Sequence, residues 1–178
     1  MGATSYIPTT GATVTRLKDV VKDAGDVNSF NSEEGVLYAE VAALNSTDED
    51  SHRYMFLSDG TINNYIYIQF KKTGEIGSAL VIGGASIYTD AYVTQIIDFN
   101  KIAVTWEQDK FSTWVNGVEV RVKTSGNTFT INTLNKVSFL QDFTGSNIFF
   151  GKTKALKVSK STNWDMAHLT TTGEFIEP

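Results

Sequence analysis

Tyr54, Tyr65, Tyr67 and Gln69 occupy alternate positions of two short runs, Arg53-Tyr-Met-Phe-Leu57 and Tyr65-Ile-Tyr-Ile-Gln-Phe70. Strand alternation sends Met55, Leu57, Ile66, Ile68 and Phe70 to one face and Tyr54, Phe56, Tyr65, Tyr67 and Gln69 to the other. The second set is more aromatic than a solvated sheet face requires. Flat rings stack on the apolar side of a sugar ring, and amides take sugar hydroxyls, which must be paired when buried. Such a face suits a glycan; its competing use is a packing surface beneath a loop, a neighbouring domain or an oligomer partner. Trp114 shares its strand face with Ser112 and Asn116, a polar set, which makes Trp114 and Asn116 binding candidates as readily as packing residues. Trp106 alternates with Ile102 and Val104 and reads as core. Tyr88 and Tyr92 follow Gly83-Gly84 in a loop-like stretch, where ligand contacts often sit and where the alternative is loop anchoring.

The acids are arranged differently from those of a glycoside hydrolase. Retaining and inverting enzymes set two carboxyl groups across the scissile bond, about 5–10 Å apart, and a strand would show them as Glu-x-Asp or Glu-x-x-x-Glu. Glu40 is alone in its run, Glu107 and Asp109 flank a turn, and Asp59 lies in another turn. No Gly-x-Ser-x-Gly elbow accompanies His52 or His168. No catalytic residue is expected. Asp48-Glu49-Asp50 offers the clustered oxygen ligands that calcium takes, but it lacks EF-hand spacing and reads first as a solvated acidic loop. No metal or other cofactor is expected. Asn45-Ser46-Thr47 is a glycosylation sequon, with meaning only in a eukaryotic secretory pathway.

The elements that would carry these residues are strands. Alternating or apolar runs recur at 36–44, 53–57, 65–70, 76–82, 92–99, 136–140 and 148–160, with turn residues between them. The 100–122 stretch reads as three successive antiparallel strands. Its last turn is Asn116-Gly117, the dipeptide that a type I′ hairpin favours because both central residues need positive φ. Val14, Leu17, Val20, Val21 and Ala24 fall at helical spacing, yet Gly11 and Gly25 bound the segment closely, and a strand plus a turn is expected there. The pattern predicts an all-β, two-sheet antiparallel sandwich.

Composition narrows the classes. The chain has 178 residues, which suits one domain able to bury a core. It is 41% hydrophobic and 20% charged, ordinary for a globular protein. A net charge of −5 without a Lys/Arg stripe argues against a nucleic-acid partner. No run is long enough to cross a membrane, and the N-terminus has no signal-peptide pattern. With no cysteine, disulfides and thiolate chemistry are excluded, and two histidines without ligand spacing make a His-based metal centre unexpected.

Five ordered pieces then point to a family. The hairpin with Ile102-Ala-Val-Thr-Trp106 and Trp114-Val-Asn-Gly-Val118 resembles a signature of concanavalin-A-like, laminin-G-like jelly rolls. Ser5-Tyr-Ile-Pro-Thr-Thr-Gly-Ala-Thr-Val-Thr-Arg16 is similar to a segment of bacteriophage tail and tail-fibre proteins that enters such a domain. Glu34 to Glu40, Leu57 to Ile68 and Phe149 to Val158 resemble its first, third-to-fourth and closing strands. There are two departures. Tyr65 stands where members commonly carry a basic residue. The tail 162–175 differs from the usual Leu, Ala and Glu-rich helix, although Trp164, Met166 and Leu169 could cap the sandwich.

The resemblance implies a jelly roll over 13–178 behind an N-terminal junction at 1–12. It also implies a non-catalytic module binding host oligo- or polysaccharide on a phage tail, located in the virion or outside the cell, beside neighbouring domains or subunits. The rival expectation is a fibre-packing module that binds no glycan.

Overall fold

The computed structural model describes residues 21–44, 52–139, 149 and 151–178. Ten strands are followed by one helix: β1 Gly35–Ala43, β2 Arg53–Ser58, β3 Tyr65–Phe70, β4 Glu75–Ile82, β5 Ala85–Val93, β6 Asn100–Glu107, β7 Lys110–Val115, β8 Val118–Lys123, β9 Lys136–Ser138, β10 Gly151–Ser159 and α1 Met166–Thr172. They form two antiparallel five-stranded sheets. Sheet I runs β5-β4-β3-β2-β9 and sheet II runs β10-β1-β6-β7-β8. The expected two-sheet jelly roll is what the chain forms.

Alternation builds the core as expected. Met55, Leu57, Ile66, Ile68 and Phe70 of sheet I meet Leu37, Val41, Ile102, Val104, Trp106 and Phe111 of sheet II in one buried cluster. Trp106 is wholly buried among them. Gly35 leaves it room, since a Cβ there would stand 2.5 Å from Trp106 Cζ2. A polar tie also crosses the sandwich. Thr113 Oγ1 lies 2.6 Å from Ser78 Oγ and accepts from the Tyr88 hydroxyl at 2.8 Å.

The turns follow their residues. Asn116 and Gly117 have φ of 49° and 86° and join β7 to β8 as a two-residue hairpin. Gly83-Gly84, at φ 57° and 80°, does the same between β4 and β5. The strand expected at 92–99 lies instead at Ala85–Val93, because Gly-Gly closes a tight hairpin rather than opening a loop, and 94–99 is a turn rather than strand. Most of the 14–24 segment lies outside the described residues. Its end is extended: Ala24 bridges Val137, and the Val21 carbonyl accepts from Phe139 N. The Asp48-Glu49-Asp50 cluster, the sequon and the N-terminal junction also lie outside the described residues.

The tail is helical, and it caps sheet II. Asp165 accepts from His168 N at 2.8 Å at the helix start, and Gly173, at φ 88°, ends it. Met166 and Leu169 pack on the outward residues Val36, Tyr38 and Ala103, with Trp114, Trp164 and Phe175 around them. Thr170 Oγ1 takes Gly117 N at 3.0 Å and fixes the helix to the β7–β8 turn.

If α1 is a true cap, Leu169→Ala should cost about 2–5 kcal/mol of stability, and Trp114→Ala should lower the melting temperature as well. Chemical denaturation reads both. Variants as stable as the parent would show that the helix does not seal this face.

Candidate functional site on the outer face of sheet I

Tyr54, Tyr65 and Tyr67 stand together on the outer face of β2 and β3. The register is set by antiparallel pairing of Tyr54 with Gln69, Phe56 with Tyr67 and Ser58 with Tyr65. Their rings tile. Tyr54 meets Tyr67 edge-on at 5.1 Å between centroids, and Tyr65 stacks along Tyr67 at 6.0 Å. Phe56 sits beneath them, 5.1 Å from Tyr54, 5.3 Å from Tyr65 and 5.5 Å from Tyr67. Aromatic edge-to-face contacts of this kind add roughly 0.5–1.5 kcal/mol per pair beyond burial. The three tyrosines are half-buried, whereas Phe56 keeps only 2% of its surface exposed. The face is thus a rigid aromatic patch, with Phe56 as its floor.

Neighbouring strands leave it space. Tyr67 is opposite Ala79 and Gln69 is opposite Gly77 on β4. A Cβ on Gly77 would come 2.9 Å from Gln69 Oε1, so glycine lets the amide lie across the next strand. Gln69 shares the tyrosine face but is only 3% exposed. Its amide is therefore covered, where the sequence suggested an open partner for hydroxyls.

The loop between β2 and β3 is held by its own side chains. Asp59 accepts from Thr61 N at 2.7 Å and from Asn64 Nδ2 at 2.8 Å. Asn64 Oδ1 in turn accepts from Gly83 N at 2.9 Å, which joins this loop to the β4–β5 turn. These ties fix the end of the sheet beside Tyr65.

Electrostatics keep the patch neutral. Burial raises the phenols of Tyr54, Tyr65 and Tyr67 above the usual tyrosine value, and for Tyr67 the nearby Tyr54 and Tyr65 add to the effect. His52, just before β2, extends the patch, its ring centred 6.0 Å from that of Tyr54. Partial burial, with Lys72 and Lys71 nearby, holds its imidazole below the usual histidine value. The alternation 52, 54, 56 was the sequence signal for this residue.

The other sequence candidates lie elsewhere. Trp114 and Asn116 are on sheet II, across the sandwich from the tyrosines. Trp114 packs under α1 and donates its indole N–H to Ser112 Oγ at 3.0 Å. Ser112 and Thr105 bond each other at 2.8 Å in a buried network on one side of Trp114, while Asn116 on the other side is exposed. Asn116 accepts from Lys101 N and donates to Asn100 Oδ1, both at 2.9 Å, and so serves the turn. Tyr88 and Tyr92 are on strand β5, not in a loop. Tyr88 points inward and is 4% exposed, and Tyr92 packs against the core. Among the acids, Glu40 is held by Lys154 at 2.7 Å and Lys101 at 3.8 Å, and Glu107 accepts from Thr162 at 2.8 Å. Among the described residues no group of three or more His, Asp or Glu could hold a metal ion. No helix of the described residues is long and apolar enough to cross a membrane.

No family model matches the chain, and no curated protein does. Solved structures do. The CBM40 of the Ruminococcus gnavus IT-sialidase, bound to α2,3-sialyllactose, superposes with a TM-score of 0.64 at 14% identity, over 86% of this chain and 96% of that one. A leech intramolecular trans-sialidase gives 0.63 at 15% identity, over 90% of this chain but only 28% of that one. Mouse laminin α1 domains LG4-5 give 0.51 at 10% identity, over 87% and 47%. At these identities the likeness is one of fold, the concanavalin-A-like jelly roll.

A spectrophotometric titration tests the patch. Raised phenol pKa values mean that the folded state holds these protons more tightly than the unfolded chain. Tyr54, Tyr65 and Tyr67 should therefore stay protonated at pH 10, and stability should fall as pH rises further. The step lost on converting all three to Phe should lie above pH 10; a step at or below pH 10 would show rings open to water.

Proposed function

We propose that this chain is a non-catalytic glycan-binding module and that sugar lies on the Tyr54–Tyr65–Tyr67 face. The observation that carries the proposal is the patch itself: three half-buried tyrosines, tiled over Phe56 on the outer side of a sheet. A pyranose ring would stack on the rings, and the phenol hydroxyls, kept neutral, would both donate and accept hydrogen bonds. The sialyllactose-bound CBM40 of like fold supports a saccharide as the class of ligand. The ordered pieces similar to phage tail proteins support a place in a virion tail, with a host-surface oligo- or polysaccharide as receptor. Hydrolysis is outside the proposal, since Glu40 and Glu107 are each engaged in structural contacts.

A second reading has its own observation. Three aromatic side chains stay partly exposed together on the outer face of sheet I. Such a patch also suits burial against a neighbouring domain or subunit, as in a packing module of a tail fibre with no glycan bound.

A glycan array on the isolated chain, followed by calorimetry, separates the two. Binding should be weak, with a Kd of about 10 µM to 1 mM, because a shallow face buries little area. Tyr67→Ala should lose about 1–3 kcal/mol of it with the fold intact. No binding by the parent, together with an oligomer that Tyr67→Ala dissociates, would establish the packing role instead.

A further inference from the structure

The open edge of the sandwich carries a second feature. β5 ends sheet I and β8 ends sheet II, so two edges that pair with no further described strand face each other. They are tied at two points: Lys123 Nζ donates to the Ile87 carbonyl at 2.7 Å, and the Tyr88 hydroxyl reaches the Arg121 carbonyl at 3.4 Å. Between them lies a cleft of about 430 Å³, lined from β5 by Ser86, Tyr88 and Thr89 and from β8 by Arg121 and Lys123. That is within the range of small-ligand pockets, roughly 300–1,000 Å³.

The register explains why the cations gather there. Thr113 pairs with Arg121 and Phe111 with Lys123, and Thr113 and Phe111 both point into the sandwich. Arg121 and Lys123 therefore lean towards β5 rather than away from it. The Arg121 side chain makes no hydrogen bond or ion pair among the described residues. Lys123 uses one of its three N–H donors. Ser86 and Thr89 are exposed, and their hydroxyls bond nothing among the described residues. Asp90, on the same face of β5 as Tyr88, is the acid of that strand, leaving the cleft at a local charge of +1 on a chain whose net charge is −5.

We infer that this cleft binds the carboxylate of an acidic sugar, a hexuronic acid unit of a longer glycan. The unpaired guanidinium offers two parallel N–H donors to a carboxylate. The Lys123 ammonium adds charge from beside it, and Ser86 and Thr89, paired with Val81 and Ala79 on the tyrosine side of sheet I, stand at the rim where ring hydroxyls would pass. The inference rests on the glycan-binding proposal for the class of ligand, but on the Arg121 edge of the sandwich rather than on the tyrosine rings.

The test is an amide chemical-shift titration of the whole chain with sodium glucuronate, against glucose and sodium acetate. Glucuronate should shift residues 86–89 and 121–123 and bind at least about fivefold more tightly than acetate, because the sugar hydroxyls add contacts. Arg121→Gln should weaken it about tenfold or more, with Arg121→Lys in between, since lysine keeps the charge but not the paired donors. Arg121 is exposed, so both variants should fold. Equal affinity for acetate would reduce the cleft to a general anion contact and overturn the inference. Shifts confined to β2 and β3, or an unaffected Arg121→Gln, would also overturn it. Glucuronate binding that survives Tyr67→Ala but not Arg121→Gln supports the cleft whatever becomes of the tyrosine face.

Discussion

Strand β1 is buried at all nine positions, and the rest of the molecule is arranged around that fact. A sandwich strand ordinarily hides one face and wets the other. Here Leu37, Ala39 and Val41 fill the interior, while Val36 and Tyr38 are equally dry on the far side. Sheet II must therefore be covered twice. Sheet I covers it within, and α1 covers it without, through Met166 and Leu169. The cover carries a polar burden. The Tyr38 hydroxyl has no hydrogen-bond partner among the described residues, and burial beside Glu40 pushes its pKa up to about 12. Glu40 is tolerated there because Lys154 and Lys101 neutralise it.

This asymmetry decides where a ligand can go. With the centre of the outer face of sheet II covered by α1, the outer face of sheet I is the broad surface over which no described helix lies. Its residues suit shallow, neutral recognition: stacked phenols, small residues on β4 and no acid or base at the centre. A weak face of this kind gains strength through repetition, because linked copies raise the effective concentration of the second contact.

Much of the fold was legible from period-two alternation and turn chemistry. Asn116-Gly117 demanded positive φ at two successive residues and marked its hairpin unambiguously. The alternation of 53–57 and 65–70 assigned the core and the tyrosine face together, because a strand has only two sides. Trp114 shows where such arguments stop. Its neighbours Ser112 and Asn116 are polar, but Ser112 is buried against Thr105 and the exposed Asn116 ties its turn to Lys101 and Asn100. Alternation says which residues share a face, not what covers that face. The cover comes from residues fifty positions later, and sequence spacing holds no trace of the contact between Gly117 and Thr170. Gly83-Gly84 was misread for a related reason: the same dipeptide serves a loop or a tight hairpin, and the pairing of Ala85 with Ile82 decides it.

The central claim is that the tyrosine face of sheet I meets ligand while the tryptophan face of sheet II does not. Tyrosine nitration mapped by peptide mass spectrometry, with and without a glycan the chain binds, tests it directly. The account predicts slow nitration of Tyr54, Tyr65 and Tyr67, suppressed by the bound glycan, with Tyr38 and Tyr88 unmodified in either case. Glycan that leaves all three unprotected, or that shields residues around Trp114 and α1 instead, would contradict it.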